Sequence, residues 1–528
     1  MVIGCDNFWL ELPGVLEAIC TAHYISYDLE MTGIVGESVQ SVPERPQEDA
    51  YRIARSAAST FQILQMGITC FSYDTDIQQY RSRTYSIHLT PFFAKYSDDL
   101  ARLIDRKMTF SYKTFLFLEQ HDFSFQKAFA RGVPYLSRAE ELKAAQRFLT
   151  HSAERGYDSR LDMNTLDPLT KIICDRARTQ ISSWLEVYPN YGQYVVIKTL
   201  TIATQEVKRR LNNALMQLVS SEFQDCYVNF HQGEAMVYKW EPKQRQRWEE
   251  ERKTREAVLE RQVAFRHIFE AFVGGSFASK INIQLVFPAN HELSATERID
   301  MKKKLQRLEK KRRDRPPVIL GHNQFLDLCF MYQTFVGDLP ATLAEFQMRA
   351  RSLWPRLVDT KHMALEFGFR REMNLGKLHK ALLDSKDSFT LKSEVSSTTD
   401  LLCVSDETNV AAHDAGYDSW MTAIVFGNLV KKALGRQDTR NQSMVLIPFR
   451  NISNTDPFSV LNPFGGQDQR TVITRTQSNG IKHNGLVPNP ERFIPRWEDG
   501  DGKAELWKQF GGKLRVGAAG VLDLNCLE

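Results

Sequence analysis

The sequence predicts an α/β protein whose core of strands and helices is interrupted by a small α+β insertion. Three observations carry this. An aromatic and apolar stretch, Tyr24 to Glu30 (YISYDLE), has strand character and is bounded by Gly33 and Gly36. Far downstream, Val318-Ile319-Leu320 reads as a buried strand feeding Gly321 and a helix from Asn323 to Phe335. Between them, from about His151, the pattern changes to two amphipathic helices and an alternating stretch. In order along the chain, Glu37 to Asp49 is a polar loop with two prolines, and Thr60 to Thr69 and Arg83 to Leu89 alternate as strands. Asp98 to Lys107 and Tyr112 to Gln120 have helical spacing. In the insertion, Leu169 to Tyr188 and Gln205 to Ser221 are helical and Asp225 to Trp240 alternates.

Glu241 to Arg266 is a highly charged helix, and Lys302 to Arg315 a basic run ended by Pro316-Pro317. A solvated face explains both, but the one-sided sign of the second also admits phosphate contact or a nuclear-import signal. Ser385 to Asp400 is a Ser/Thr-rich loop, His413 to Leu434 a loop followed by a helix, and Asn451 to Asp501 mostly loop with little core. The chain thus divides into the first part of the core (1–150), an inserted α+β domain with nucleic-acid binding as one reading (151–245), the charged helix and second part of the core (246–440), and a loop-rich C-terminal segment (441–528).

Composition excludes several classes. With 528 residues, 42% of them apolar and 25% charged, the chain is neither disordered nor fibrous. Its net charge of +4 sets up no global repulsion of an anionic partner. The eight cysteines are scattered without a Cys-x-x-Cys pair, so neither a zinc knuckle nor a disulfide framework is indicated. The opening residues lead us to expect no secretory signal, and no apolar run approaches the roughly 20 residues that span a bilayer. A reducing intracellular compartment, cytoplasmic or nuclear, is expected.

Acidic residues supply the chemistry. Asp28 and Glu30 stand two apart on a strand and point to one face, among neighbours that mark the strand as buried. Such a pair needs a cation between its members, or else lies exposed on a sheet edge. Asp327 opens the helix after Gly321, where it could instead serve the helix dipole. His413 and Asp418 flank the start of the last strong helix. The ordered set Asp-x-Glu, Asp, His-x4-Asp suits two hard cations held by four carboxylates, with a histidine that takes a proton from water.

The set resembles the DEDDh 3′→5′ exonucleases, and within them the poly(A)-specific ribonuclease family and its relatives that trim small RNAs. The blocks that carry the resemblance are Asn7-Phe8, Asp28-Leu29-Glu30-Met31-Thr32-Gly33-Ile34 and Phe123-Ser124-Phe125-Gln126-Lys127 with Gly132 to Leu136. They continue with Gly321-His322-Asn323 and Asp327, Pro355 to Lys361, and His413 to Asp418. The resemblance covers about Asn7 to Lys432. It implies a ribonuclease H-like core in which Asp28, Glu30, Asp327 and Asp418 hold two Mg²⁺ ions, with Mn²⁺ as the alternative, and His413 is the general base. It also implies RNA contacts from Lys361, Met31, Ile34, His322 and Asn323. The alternative for Lys361 is an ordinary surface lysine after a strand, and His322 and Asn323 can equally be turn residues bonding local backbone.

Met31 replaces the aromatic residue usual after the family's first glutamate, which predicts a weaker preference for adenosine. A core position without influence on specificity is the alternative.

The expected activity is hydrolysis of single-stranded RNA from a free 3′-hydroxyl, on poly(A) tails or on 3′ extensions of small or non-coding RNAs, giving 5′-mononucleotides. The competitors are a DNA exonuclease of the same fold and an inactive RNA-binding scaffold. A homodimer is expected, a membrane association is not. Two departures stand out: the insertion lacks the Arg-x-x-x-His motif of the family's small binding domain, and nothing after Gln437 resembles a cap-binding RNA-recognition domain.

Overall fold

The computed structural model describes residues 1–34, 46–93, 98–148, 166–187, 189–198, 205–231, 234–383, 388–393, 414–444, 493–498, 504–517 and 519–526. Its strands are β1 (Val2–Ile3), β2 (Tyr24–Met31), β3 (Ile63–Asp74), β4 (Gln79–Thr90), β5 (Val133–Pro134), β6 (Tyr194–Lys198), β7 (Cys226–His231), β8 (Glu234–Lys239), β9 (Val318–Gly321), β10 (Leu357–Asp359), β11 (Lys392–Ser393), β12 (Lys513–Arg515) and β13 (Val521–Asp523). Among the described residues the central sheet runs β1-β4-β3-β2-β9-β10, with β5 and β11 also on β4.

The sheet is mixed. β2, β3 and β4 pair antiparallel, whereas β9 pairs parallel to β2 and β10 parallel to β9. The C-terminal ends of β2, β9 and β10 therefore line up on one side, which is where Glu30, Gly321 and Asp359 lie. This is the mixed sheet flanked by helices expected of a ribonuclease H-like core. The β3–β4 hairpin is longer than its alternating sequence suggests, and pairs out to Asp74 opposite Gln79. Its far half is held by aromatic contacts, Tyr73 against Tyr80 and Tyr80 against Phe389.

Helices cover both faces. The Phe8–Thr21 helix buries Leu12, Val15, Leu16 and Ile19 in the main core, and the Phe325–Phe335 helix buries Leu328, Phe330 and Met331 there. The Ala415–Met444 helix buries Ile424, Phe426, Leu429 and Val430 in a second core with Val318, Leu320 and Val358. The single helix expected over 241–266 is instead two. Pro242–Val263 is charged and mostly solvated, and after a break at Ala264 the Phe265–Val273 helix is buried almost throughout. The change of environment explains the break, since the two halves need different surroundings.

The basic run also divides. It lies in the Ala295–Asp314 helix, which starts with a Ser294–Glu297 capping box and buries Leu305 and Leu308. Lys304 pairs with Glu17 at 2.8 Å and Arg313 with Glu309 at 3.0 Å. Arg312 is buried and donates from Nε to the Ala271 carbonyl (2.8 Å) and from Nη2 to that of Phe272 (2.7 Å). It closes the end of the Phe265–Val273 helix and is not a surface cation.

The insertion is an α+β unit with its own core. The Pro168–Glu186 and Gln205–Glu222 helices pack Ile173, Ala177, Ile181, Leu215 and Leu218 against Val228 and Val237 of a β6-β8-β7 antiparallel sheet. Within the C-terminal segment expected to be loop-rich, residues 504–517 and 519–526 form a compact element, while residues 445–492 lie outside the described residues. The Ala504–Phe510 helix and the β12–β13 hairpin bury Leu506, Trp507, Phe510, Leu514 and Leu522. Gly512 N–H donates to the Leu357 carbonyl at 2.8 Å, so this element docks on the β10 edge. These apolar side chains have no mutual pattern in sequence; the rest of the core supplies their partners.

Candidate active site

Asp28 and Glu30 face the same way from β2, while Tyr27 and Leu29 enter the main core on the other face. The Ala415–Met444 helix starts directly over this strand and brings Asp418. Its close approach depends on Gly67 of β3, which lies opposite Asp28 in register. A Cβ there would come within 1.8 Å of the Ala415 carbonyl oxygen. The helix is also stitched to the sheet through Ser419, whose carbonyl accepts from Ser26 Oγ at 2.7 Å and whose hydroxyl lies 2.8 Å from that of Thr69. As a result, Asp28, Glu30 and Asp418 each offer an oxygen within 4.8 Å of the others. Asp327, in the first turn of the Phe325–Phe335 helix, is near enough to act on Asp28 and Glu30 electrostatically.

Burial and mutual repulsion oppose charge on these groups. The Asp28 carboxyl is pushed far up, mainly by burial and then by Asp418, Asp327 and Glu30. Glu30 is raised by burial and then by Asp418, Asp414 and Asp327. Asp327 is raised to about 7 by burial and by Asp359. A crowded, desolvated set of carboxylate oxygens is the donor set that hard divalent cations prefer, and a cation relieves the repulsion that the fold otherwise has to bear. The residues present fit Mg²⁺ or Mn²⁺.

Two acids absent from the sequence-based set hold the site in shape. Asp414 begins the Asp418 helix. Its Oδ1 accepts from Ser86 Oγ (2.6 Å) and the Gly416 and Tyr417 amides (3.0 and 3.3 Å), and its Oδ2 from Gln65 Nε2 (2.9 Å). Asp359, at the end of β10, has no solvent exposure. Its Oδ1 accepts from the Asn323 and Lys361 amides and its Oδ2 from the Arg515 amide, each at 2.9 Å. Burial raises its pKa, and these amides act against the rise. Sequence signals existed for both: Asp414 adjoins His413, and Asp359 falls inside the Pro355–Lys361 block.

The residues expected to contact RNA are spread over three places. His322 and Asn323 lie beside Asp359, with Asn323 in the left-handed region (φ 59°) that asparagine tolerates. His322 Nδ1 is 3.0 Å from Thr360 Oγ1, whose own proton goes to the Gly321 carbonyl. Nδ1 is therefore the donor. Burial, with Lys361 nearby, lowers this histidine to about 3, so the ring is neutral. Lys361 Nζ donates to the Met373 carbonyl. Met31 follows a register shift after Glu30 and is 9% exposed within the main core; of its two considered roles, packing has this burial behind it. Ile34 is 44% exposed. His413 lies outside the described residues, directly before Asp414.

Residues 3–426 match the model of the CAF1 family ribonuclease. The chain is 22% identical over 464 residues to the pre-piRNA 3′-exonuclease trimmer of Bombyx mori, covering 87% of this chain and 76% of that one. It is 23% identical over 440 residues to the poly(A)-specific ribonuclease PARN of Danio rerio, covering 81% of this chain but only 59% of PARN, less than two thirds of its length. Among solved structures, that of S. pombe Pop2p in its Mg²⁺- and Mn²⁺-bound form aligns over 80% of this chain and 89% of that one, with 10% identity and a TM-score of 0.34. The chain belongs to the CAF1 family of ribonucleases.

Proposed function

We propose that the protein is a divalent-metal-dependent exoribonuclease that shortens single-stranded RNA from a free 3′-hydroxyl and releases 5′-mononucleotides. The observation that carries this is the convergence of Asp28, Glu30 and Asp418 oxygens within 4.8 Å, with Asp327 beside them. Two Mg²⁺ ions, or Mn²⁺ in their place, would supply charge stabilisation for the attacking and leaving oxygens of an in-line phosphoryl displacement. The chain's own part is to hold those ions through Asp28, Glu30, Asp327 and Asp418, and to place a base beside them. His413 takes the proton of the attacking water, and Asp414 fixes the start of the helix that follows it. His322, Asn323 and Lys361, with Ile34 beyond the end of β2, border the path of the terminal nucleotides, and a contact to the 2′-hydroxyl distinguishes RNA from DNA.

The substrates in this reading are poly(A) tails or 3′ extensions of small or non-coding RNAs, by analogy with the trimmer and PARN. It takes the enzyme to be a homodimer acting in the cytoplasm or nucleus. Among the described residues, no helix is long and apolar enough to cross a membrane.

The test is release of AMP from a 3′-labelled oligo(A) in Mg²⁺, beside the matched DNA oligomer and an EDTA control. Release from RNA alone, abolished by EDTA, supports the proposal. Equal release from DNA replaces it with a DNA exonuclease, and binding without release replaces it with a scaffold. His413→Ala should slow the reaction by roughly 10²–10⁴-fold near neutral pH.

A further inference from the structure

The C-terminal hairpin brings basic side chains to the flank of the acidic centre. β12 carries Lys513 and Arg515, and the Arg515 amide is held at 2.9 Å by the same Asp359 carboxylate that holds the Asn323 and Lys361 amides. From the other side, Arg371 reaches across and donates from Nη2 to the Gly517 carbonyl at 3.0 Å, which ties the 370–374 loop to the hairpin. The backbones of Lys361 and Arg515 are thereby gathered on one buried carboxylate, next to the turn at Asn323 that leads into the Asp327 helix, with Arg371 close enough to act electrostatically on both side chains. Arg371 is exposed, and Lys361 and Arg515 are half-buried.

These cations are not neutralised in the usual way. Among the described residues none of Lys361, Arg371, Lys513 and Arg515 forms an ion pair within 4.0 Å. Every hydrogen bond that Asp359 accepts in this group comes from a backbone amide, so the guanidinium of Arg515 and the ammonium of Lys361 are left to other partners. Asp359 and Glu372 are the acids that act on Lys361. Consistent with crowding of like charge, Arg515 is lowered first by burial and then by Arg371, and Lys361 is lowered by burial with added contributions from Arg515 and Arg371. Like charges held together by the fold, at partial exposure and beside a catalytic centre, mark a place where an anion completes the electrostatics.

We propose that Arg371 and Arg515 form a clamp for a backbone phosphodiester of the substrate RNA, making the C-terminal hairpin part of the substrate-binding surface. This rests on the exoribonuclease reading for the identity of the anion. The clamp acts on affinity and register, because its groups flank the acids and do not share oxygens with them. An arginine fork matches a phosphate through paired N–H donors, which a lysine does not reproduce.

The test uses the full chain with Arg371→Gln and Arg515→Gln combined, and Arg371→Gln alone as the variant that leaves the core untouched. Binding of a 20-nucleotide single-stranded RNA is measured over a range of salt in the Asp28→Asn background, where turnover does not interfere. KM and kcat are measured in the otherwise unaltered enzyme. The double variant should bind about 10-fold more weakly, with a log–log salt slope shallower by about 0.7 for each phosphate that is no longer neutralised. KM should rise and kcat should hold. Double replacement by lysine should restore the slope but only part of the affinity.

Unchanged affinity and slope in variants with the parent's melting temperature would overturn the clamp. So would a fall in kcat at constant KM, which would make the hairpin a support for the acids alone. If the unaltered enzyme degrades no RNA, the exoribonuclease reading fails separately, and the binding arm still decides whether these arginines hold RNA phosphate.

Discussion

Asp28 and Glu30 are held among other acids where burial and repulsion both disfavour their charge. That cost is tolerated by a fold only when something returns it, and a divalent cation held by these acids would do so. Two consequences can be measured apart. Asp28→Asn should raise the melting temperature in EDTA, because one repelling charge is gone. It should also abolish most of the stabilisation that Mg²⁺ gives the unaltered protein, and slow turnover by about 10²–10³-fold or more. A variant whose Mg²⁺-induced shift equals the parent's would remove Asp28 from the metal set. Asp414 makes a different contribution. Asp414→Ala deletes a helix cap that also bonds Ser86 and Gln65, and should cost about 1–2 kcal/mol in urea denaturation.

Asp28, Glu30, Asp327 and Asp418 were legible in the sequence because their spacing and apolar neighbours survive translation into strand and helix. Asp359 and Asp414 were not singled out. Their work is to receive hydrogen bonds from distant segments, and Arg515 lies 156 positions from Asp359.

At the scale of elements, the Phe265–Val273 helix shows how burial changes the meaning of charged residues. Arg266 and His267 are almost wholly enclosed, and Arg312 closes the helix end from a neighbouring helix. A run of basic residues reads as one surface feature in sequence, yet Arg312 belongs to the interior. Arg312→Met should therefore cost about 2–3 kcal/mol by leaving buried carbonyls without a donor. Lys310→Gln with Lys311→Gln should stay within about 0.5 kcal/mol of the parent. Equal effects would return the whole run to the surface.

His267 gives a pH dependence with a definite sign. Burial, with Arg266 and Lys280 nearby, lowers it to about 3 from the ordinary 6.5. The unfolded chain thus binds the proton more readily, and the histidine's contribution to stability is complete above pH 6.5 and lost as pH falls from there toward 3. The melting temperature should drop on acidification through this window, and His267→Gln should flatten the drop. A profile of unaltered steepness in the variant would place the effect elsewhere, with His88 and His322 as the next candidates.

Over the whole molecule, the first strand and the C-terminal hairpin pack at opposite edges of the central sheet. Met1 donates to the Thr84 carbonyl, and the hairpin near the C-terminus docks beside β10. The strands at Tyr24, Thr60, Arg83 and Val318 are readable from their apolar or alternating segments, whereas their order in the sheet is a matter of tertiary pairing. The role of residues 504–526 is not readable, because a seven-residue helix and two three-residue strands carry too little periodicity to stand out. Removing 504–528 should withdraw Leu506, Trp507, Phe510, Leu514 and Leu522 from the core. At about 1.5–3 kcal/mol for each buried side chain, the loss rivals the stability of a whole domain. The truncated protein is expected to be insoluble or unfolded at 25 °C; a cooperative, active truncation would show that the segment is dispensable.

The proposed activity is directional removal of single nucleotides from an RNA 3′ end by the acidic centre. It is tested most directly with a 5′-labelled single-stranded RNA incubated in Mg²⁺ and sampled over time. The expected result is a ladder that shortens one nucleotide at a time with the label retained, stopped by EDTA, by a 3′-terminal phosphate and by Asp28→Asn. Immediate release of the label as a mononucleotide, internal fragments, or an undiminished ladder from Asp28→Asn would contradict it.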